Sequence, residues 1–212
     1  IIMIVTTATA HREIAELLLP CLEDNQIVVL NPGRTCGAIE FNNVIQNAGF
    51  RKNIFIAEAQ SLIYACRITA PAEVRIIGVK DKVLLATLPK IHTNEVCNKL
   101  NTIYDCFVPA QNVLVTGLEN IGAIFHPTVV LFNAATIERG QQFFFYNDMT
   151  PSIASFIENV DKERLQIGKA FGFKLVPATE WISLAYSNIK GESLCEKMKN
   201  NPAYYNILAP TH

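Results

Sequence analysis

One histidine of this chain stands in an apolar stretch. A polar imidazole buried there is unfavourable unless it is hydrogen-bonded or serves a function. His126 ends the run Asn120-Ile-Gly-Ala-Ile-Phe-His126 and precedes Pro127-Thr-Val-Val-Leu-Phe-Asn133. Imidazole titrates near neutral pH, so it can accept and donate a proton during catalysis. On one continuous helix, residues seven apart share a face, which places Glu119, His126 and Asn133 on a polar stripe. The pattern predicts a site; the alternative is a buried core histidine whose hydrogen bonds are satisfied by Asn133 or by a backbone carbonyl that Pro127 leaves free.

A second set of candidate residues follows three apolar runs of the first half of the chain. These residues form loops at 6–9, at 31–37 and from Glu58 onward. Ligands of parallel α/β sheets bind outside the carboxyl ends of the strands, where such loops meet. Asn31-Pro-Gly-Arg34 is also an ordinary turn sequence, so its glycine and proline alone do not distinguish a cofactor-binding loop from a plain turn. The predicted cofactor contacts are Thr6, Thr7, Ala8, Asn31, Pro32, Gly33 and Arg34.

The elements that must position these loops alternate between strand and helix. Apolar runs at 1–6, 26–30 and 53–57 predict buried strands, and amphipathic spacing at 10–22 and 38–48 predicts helices. This alternation is typical of an α/β fold with a parallel sheet. The ten glycines include no Gly-x-Gly-x-x-Gly, the loop that seats a pyrophosphate on a helix. The sequence therefore predicts the second half of a Rossmann-like sheet.

The pattern then changes to short alternating runs at 64–69, 73–80 and 82–87, which predict an antiparallel extension of that sheet. A tight turn at 80–82 is expected to join the last two strands. Arg67 lies in the first of these runs, where its guanidinium could clamp a substrate carboxylate or simply be solvated. Helical patterns dominate the rest of the chain. We therefore expect a domain boundary near residue 112, between 1–112 and an all-helical domain at 113–212.

Composition limits the classes of partner. Eighteen basic and nineteen acidic residues give a formal charge of -1, which argues against a nucleic-acid surface and a polybasic membrane face. The six cysteines form no Cys-x-x-Cys pair, and the four histidines show no metal-ligand spacing. These features predict a cytoplasmic protein with reduced thiols and no bound metal, whose partner is a small molecule or another protein.

Five segments together carry a resemblance to a known family. They occur in the order seen in the opine dehydrogenases, also called the octopine and nopaline dehydrogenase family, and they cover essentially all 212 residues. The chain most resembles the bacterial branch that includes N-(1-carboxyethyl)norvaline dehydrogenase. The segments are Thr6-Thr-Ala-Thr-Ala-His11, Asn31-Pro-Gly-Arg34, Ala57-Glu-Ala-Gln-Ser-Leu-Ile-Tyr-Ala-Cys-Arg67, Asn120-Ile-Gly-Ala-Ile-Phe-His-Pro127 and Thr150-Pro-Ser152.

The resemblance implies an NAD(P)-binding Rossmann domain followed by a helical substrate domain. The implied reaction is reductive condensation of an amino acid with an α-keto acid such as pyruvate, with NAD or NADP as cofactor. In this family a histidine matching His126 is the general acid and base. Ser61 matches a small hydroxyl residue near the keto acid, and residues 31–34 match a loop beside the nicotinamide. We also count Arg67 and Asn133 as candidate substrate contacts.

The same resemblance places two family features outside this sequence. The glycine-rich loop is expected before Ile1, and a carboxylate that orients the catalytic histidine is expected shortly after His212. We therefore expect the 212 residues alone to bind cofactor poorly and to turn over little. One alternative is a catalytically inactive remnant that serves as a binding or dimerisation module. Another is a hydroxyacid or ketopantoate-type dehydrogenase, although those enzymes usually use a lysine where this chain has His126.

Overall fold

The computed structural model describes residues 1–186 and 189–210. The chain forms two compact units, Ile1–Asn120 and Ile121–His212. The division therefore lies eight residues beyond the boundary expected at 112. The reason is that residues 113–118 form a helix whose Val113 is buried in the core of the first unit.

The first unit contains strands in two separate sheets. The strands β1 to β3 are parallel, as the alternating pattern predicts, and β6 pairs antiparallel with β3. β7 lies parallel to β6 at the edge, where the sequence analysis predicted no strand. The main sheet therefore has the order β1-β2-β3-β6-β7. The strands are β1 (Ile2–Ile4), β2 (Gln26–Leu30), β3 (Ile54–Ala59), β4 (Tyr64–Ala70), β5 (Glu73–Val79), β6 (Val83–Leu88) and β7 (Phe107–Pro109).

Helices cover both faces of the main sheet. In β2, Val28 and Leu30 contribute to the core on the side of α1 and α2, whereas Ile27 and Val29 belong to the core on the side of α3. A strand buried on both faces must be apolar throughout, which explains the continuous hydrophobic run that identified it. The helices are α1 (His11–Leu18), α2 (Gly37–Asn47), α3 (Thr93–Leu100) and α4 (Val113–Leu118).

The expected three-stranded antiparallel extension is wrong in its pairing. Strands β4 and β5 pair with each other in a sheet of their own, and β6 leaves them to join the main sheet. Burial explains this choice, because Val83, Leu85 and Ala86 of β6 are fully buried. Ile68 of β4, in contrast, is 81% exposed. The segment 80–82 therefore connects two sheets instead of closing a hairpin.

The second unit is helical, as predicted. Its longest helix, α7, begins after Thr150, whose hydroxyl accepts a hydrogen bond from the Ile153 N–H. A buried ion pair joins Arg164 Nε to Asp161 Oδ1 at 2.7 Å, and Asp161 Oδ2 accepts from the Ala178 N–H, tying α7 to α8. The helices are α5 (Gly122–Phe132), α6 (Ala134–Glu138), α7 (Pro151–Ala170), α8 (Ala178–Ala185) and α9 (Leu194–Lys199).

The stretch Val113–Phe132 is long and apolar enough to satisfy a test for a membrane-spanning helix. More than half of the tested window is buried within the protein, and core helices of soluble proteins satisfy the same test. The structure also divides this stretch into α4 and α5, which end and begin in different units. It is weak evidence for a membrane span.

Candidate active site

The loops that follow β1, β2 and β3 lie at the same edge of the sheet, because these strands are parallel. The loop after β2 is attached to both neighbouring strands. The Asn31 N–H donates to the Ile4 carbonyl at 2.9 Å, and the Gly33 N–H donates to the Ala59 carbonyl at the same distance. The structure thus brings together the three segments in which the sequence places the cofactor.

The loop 31–36 has an unusual backbone. Asn31 and Pro32 are joined by a cis peptide bond, and Arg34 and Cys36 adopt left-handed conformations with φ of 60° and 63°. Asn31 is buried; its Nδ2 contacts Met3 Sδ at 3.7 Å, while its Oδ1 has no hydrogen-bond donor among the described residues. A buried acceptor without a donor is uncommon and fits a group supplied by a bound molecule or water. Thr6 and Thr7 expose their side chains on the neighbouring loop, next to Ala8.

Glu58, which the sequence analysis did not single out, connects the parts of this edge. Its side chain is 0% exposed and accepts a hydrogen bond from the Ala38 N–H, near the start of α2, at 2.8 Å. Its other carboxyl oxygen lies 2.5 Å from the Thr116 hydroxyl of α4. Gly33 packs directly against it, since an added Cβ there would lie 2.8 Å from Glu58 Oε2. One carboxyl group therefore holds the 31–36 loop, α2 and α4 in place.

Burial raises the pKa of Glu58. Thr116 Oγ1 donates to Glu58 Oε1 at 2.5 Å and lies 3.0 Å from the Val113 carbonyl oxygen. Desolvation of the buried carboxyl raises its pKa to about 7, against the hydrogen bonds from Thr116 and from the Ala38 N–H that lower it. Below this pH the buried carboxyl therefore holds a proton that an exposed glutamate would have lost.

Glu58→Gln is expected to flatten the pH dependence of stability. The pKa of Glu58 lies above its ordinary value of 4.5, so between these values the folded state holds a proton that the unfolded state has lost. The free energy of unfolding should therefore fall as pH rises from about 4.5 to 7, by roughly 3 kcal/mol in total. Denaturant titrations at pH 4.5, 6 and 8 measure this slope. Glu13→Gln, an exposed matched control, should keep it, and an unchanged slope in Glu58→Gln would refute a buried neutral carboxyl.

Of the candidate substrate contacts in the first unit, the structure brings only Ser61 to this edge. Ser61 follows β3 and is half-buried, and its Oγ accepts a hydrogen bond from Lys80 Nζ at 3.0 Å. Arg67 lies instead on β4 of the separate hairpin, exposed and opposite Arg75 in the strand register. Its guanidinium donates to the Cys66 carbonyl oxygen at 2.7 Å. The position of Arg67 therefore does not support the expectation that it binds a substrate carboxylate.

In the second unit, His126 lies on α5 and is exposed, which corrects the expectation of a buried imidazole. An exposed ring excludes the core-histidine alternative. Its Nε2 lies 3.2 Å from the Tyr146 hydroxyl, and the Phe145 ring meets it edge to face with centroids 5.7 Å apart. Tyr146 is itself buried and stacks on Tyr204. A rigid aromatic cluster thus orients an accessible imidazole, which is an arrangement suited to proton transfer.

The predicted stripe of Glu119, His126 and Asn133 is wrong. The chain leaves the helical conformation between α4 and α5, so Glu119 follows α4 in the first unit and shares no helix with His126. Asn133 stands at the carboxyl end of α5, where its Nδ2 donates to the Val129 carbonyl oxygen at 2.9 Å. The Asn133 side chain therefore caps its own helix, and this contact explains its position. The heptad argument failed because it assumed one continuous helix.

Two residues, Glu58 of the first unit and Tyr146 of the second, escaped the sequence analysis. A signal for Glu58 was present, because a carboxylate inside the apolar run Ile54-Phe-Ile-Ala-Glu-Ala59 must be buried with partners. For Tyr146 no local signal exists, since it lies twenty residues from His126 in a phenylalanine-rich loop. Within residues 1–186 and 189–210, no group of three or more His, Cys, Asp or Glu side chains is placed to hold a metal ion.

Comparison with known proteins agrees with this architecture. Residues 109–212 match the family described as NAD/NADP octopine/nopaline dehydrogenase, alpha-helical domain. An opine dehydrogenase from Arthrobacter sp. (strain 1C) is 33% identical over 211 residues, covering 99% of this chain and 58% of that relative. The chain thus spans little more than half the length of this relative.

Two solved structures share the fold across both units. Octopine dehydrogenase with NADH and L-arginine matches with a TM-score of 0.76 at 16% identity, over 98% of this chain and 55% of the other. Yersinopine dehydrogenase with NADP+ bound matches with a TM-score of 0.73 at 12% identity, over 98% and 58%. The fold class expected from the sequence, an α/β Rossmann-like part followed by a helical domain, is confirmed. Together with the match of the helical domain, these similarities relate the chain to the opine dehydrogenases.

Proposed function

We propose that this protein is an NAD(P)H-dependent opine dehydrogenase that joins the amino group of an amino acid to the keto carbon of an α-keto acid such as pyruvate. The observation that carries the proposal is His126, an accessible imidazole hydrogen-bonded to the buried Tyr146. It lies in the segment that matches the family's helical domain. The relatives whose structures contain NADH, NADP+ or L-arginine support the classes of cofactor and amino-acid substrate.

His126 can perform the proton transfers that the condensation needs. The amino acid must lose a proton from its ammonium group before its nitrogen can attack the keto carbon. Neutral imidazole accepts that proton, and the resulting imidazolium passes it to the keto oxygen as the nitrogen attacks. A second proton then moves from the nitrogen to the hydroxyl by the same route, so that water leaves when the C=N bond forms. NAD(P)H supplies, when bound, the hydride that reduces this C=N bond to the secondary amine of the opine.

The loops at the edge of the sheet would hold the nicotinamide part of the cofactor. Asn31 and Gly33 fix this loop through backbone hydrogen bonds to Ile4 and Ala59, and the buried Oδ1 of Asn31 has no donor among the described residues. Thr6, Thr7 and Ala8 on one side, with Pro32 and Arg34 on the other, would complete these contacts. The 212 residues contain no Gly-x-Gly-x-x-Gly, so they offer no equivalent seat for the pyrophosphate. We therefore expect the 212-residue polypeptide alone to turn over little.

Tyr146→Phe is expected to lower kcat without unfolding the helical unit. The substitution removes the hydroxyl that contacts His126 Nε2 and keeps the ring that packs between Phe145 and Tyr204. Loss of one orienting hydrogen bond, worth about 1 kcal/mol, should reduce kcat roughly five- to tenfold. Steady-state kinetics with saturating substrates measure the effect. Phe171→Leu, at an exposed position elsewhere in the unit, should leave kcat unchanged; a full-rate Tyr146→Phe would contradict the orienting role.

The function is tested by following NADH and NADPH oxidation with pyruvate and a panel of amino acids. The gene product that contains residues 1–212 and the 212-residue polypeptide should both be assayed, each with its intact mass measured. Oxidation that requires both the keto acid and an amino acid, with a secondary-amine product, is the expected result for the gene product. Reduction of a keto acid without any amine would indicate a hydroxyacid or ketopantoate-type dehydrogenase instead. A folded gene product with no turnover would favour a binding or dimerisation module.

A further inference from the structure

The hairpin formed by β4 and β5 has one face that is apolar throughout. Directly paired residues of a two-stranded sheet lie on the same side of it, and every second residue of a strand shares that side. One side carries Arg67 directly opposite Arg75. The other side, which we call the hairpin face, consists of the pairs Tyr64 with Val79, Cys66 with Ile76 and Ile68 with Val74.

The protein leaves the hairpin face uncovered. None of residues 64–79, all of which the structure describes, belongs to one of the three hydrophobic cores. Cys66 is half-buried, and the five other residues of the hairpin face are between 37% and 81% exposed. A two-stranded hairpin alone is marginally stable in water, and the facing charges of Arg67 and Arg75 weaken this one further. A partner that covers the hairpin face would therefore stabilise the hairpin.

The chemistry of the hairpin face fits a second copy of the same face. A two-fold symmetric contact places a surface against itself, so any charge within it meets the same charge of the partner. The hairpin face contains no charged side chain, and the β-branched residues of two facing sheets can interdigitate. The side that carries Arg67 and Arg75 is unsuited to such a contact, because two copies would bring four guanidinium groups together.

The size of the hairpin face also suits a dimer. Side chains of this number and exposure present on the order of 400 Å² of apolar surface per copy. Apolar atoms form about 60% of a typical interface, so a contact between two hairpin faces would bury roughly 1,300 Å² in total. This area exceeds the value of about 1,000 Å² that a specific interface needs.

We propose that the hairpin face is a dimerisation surface, on which the β4–β5 hairpins of two copies of this chain pack face to face around a two-fold axis. The four strands then form a small sandwich whose interior consists of the apolar pairs of both copies. The interface belongs to the first unit, and its formation does not depend on the proposed activity.

The first test compares Ile68→Lys with Ile91→Lys in the gene product that contains residues 1–212. Both isoleucines belong to the first unit and are similarly exposed, at 81% and 79%, but Ile91 lies outside the hairpin. Sedimentation equilibrium should show a dimer for the wild type and for Ile91→Lys. Ile68→Lys should raise the dimer Kd at least about 100-fold, because each subunit would bury an ammonium group without a counter-ion. Circular dichroism checks that both variants fold.

A second measurement uses the unmodified protein. Cys66 lies in the hairpin face, so its alkylation should slow as the protein concentration rises through the dimer Kd. Cys21, an exposed thiol of the same unit, should react at a constant rate, and peptide mass spectrometry distinguishes the two.

Three results would overturn the inference. The first is a wild type that stays monomeric at its highest soluble concentration, and the second is a dimer that Ile68→Lys leaves intact. The third is equal protection of Cys66 above and below the dimer Kd, which would assign the cover of the hairpin face to a segment of the gene product outside residues 1–212.

Discussion

His126→Ala is expected to lower kcat for opine formation by about 10²- to 10⁴-fold, the usual contribution of a general acid and base. The substitution removes the proton acceptor for the amino-acid ammonium and the donor for the departing oxygen. Fold stability should change little, because His126 is exposed on α5 and its loss opens no core cavity. The measurement is the rate of NAD(P)H oxidation with saturating pyruvate and amino acid, in the gene product that contains residues 1–212.

Two comparisons separate chemistry from folding in this experiment. His92→Ala, which removes a half-buried histidine beside Glu95 in the first unit, should retain near-wild-type turnover. The Tm of His126→Ala should stay within about 2 °C of the wild type, since surface substitutions usually change stability by less than about 0.5 kcal/mol. A His126→Ala variant that keeps more than a tenth of the wild-type kcat would remove the basis for acid–base catalysis by this residue.

Gly33→Ala is expected to destabilise the first unit by about 3 kcal/mol, at the upper end of the cost of overpacking. The new Cβ would overlap Cβ of Glu58, which is attached to the rigid strand β3 and cannot rotate away. The Gly33 N–H bond to the Ala59 carbonyl holds the two segments together, so relief requires the loop to move. Chemical denaturation monitored by circular dichroism gives the free energy of unfolding. Cofactor affinity should fall in parallel, because the 31–36 loop is displaced.

Gly78→Ala provides the matched control for that substitution. A Cβ at Gly78 would meet no atom within 4 Å, so the change should alter the free energy of unfolding by less than about 0.5 kcal/mol. Both variants lose the same backbone freedom in the unfolded chain. A difference in the free energy of unfolding between Gly33→Ala and Gly78→Ala therefore measures the cost of the contact with Glu58. Equal stability of the two would show that the loop adapts without strain.

The first half of the fold could be predicted because its signals are local. The apolar run that became β2 was predicted at the observed residues, and the helix predicted at 38–48 corresponds to α2, Gly37–Asn47. Which partners the strands β4, β5 and β6 pair with could not be predicted in this way. Whether a strand joins the main sheet depends on how much apolar surface it buries there, and only the complete sheet decides that.

The sequence by itself determined the alternation of strands and helices, the resemblance to the opine dehydrogenases, and the choice of His126 as the candidate acid and base. Only the tertiary structure decided what surrounds the functional groups. Glu58 meets Thr116 across fifty-eight positions, Lys80 meets Ser61 across nineteen, and His126 meets Tyr146 across twenty. Periodicity describes neighbours along a helix or strand, whereas these contacts arise from packing of separate elements. Their effects on pKa, orientation and charge therefore have no signature in residue spacing.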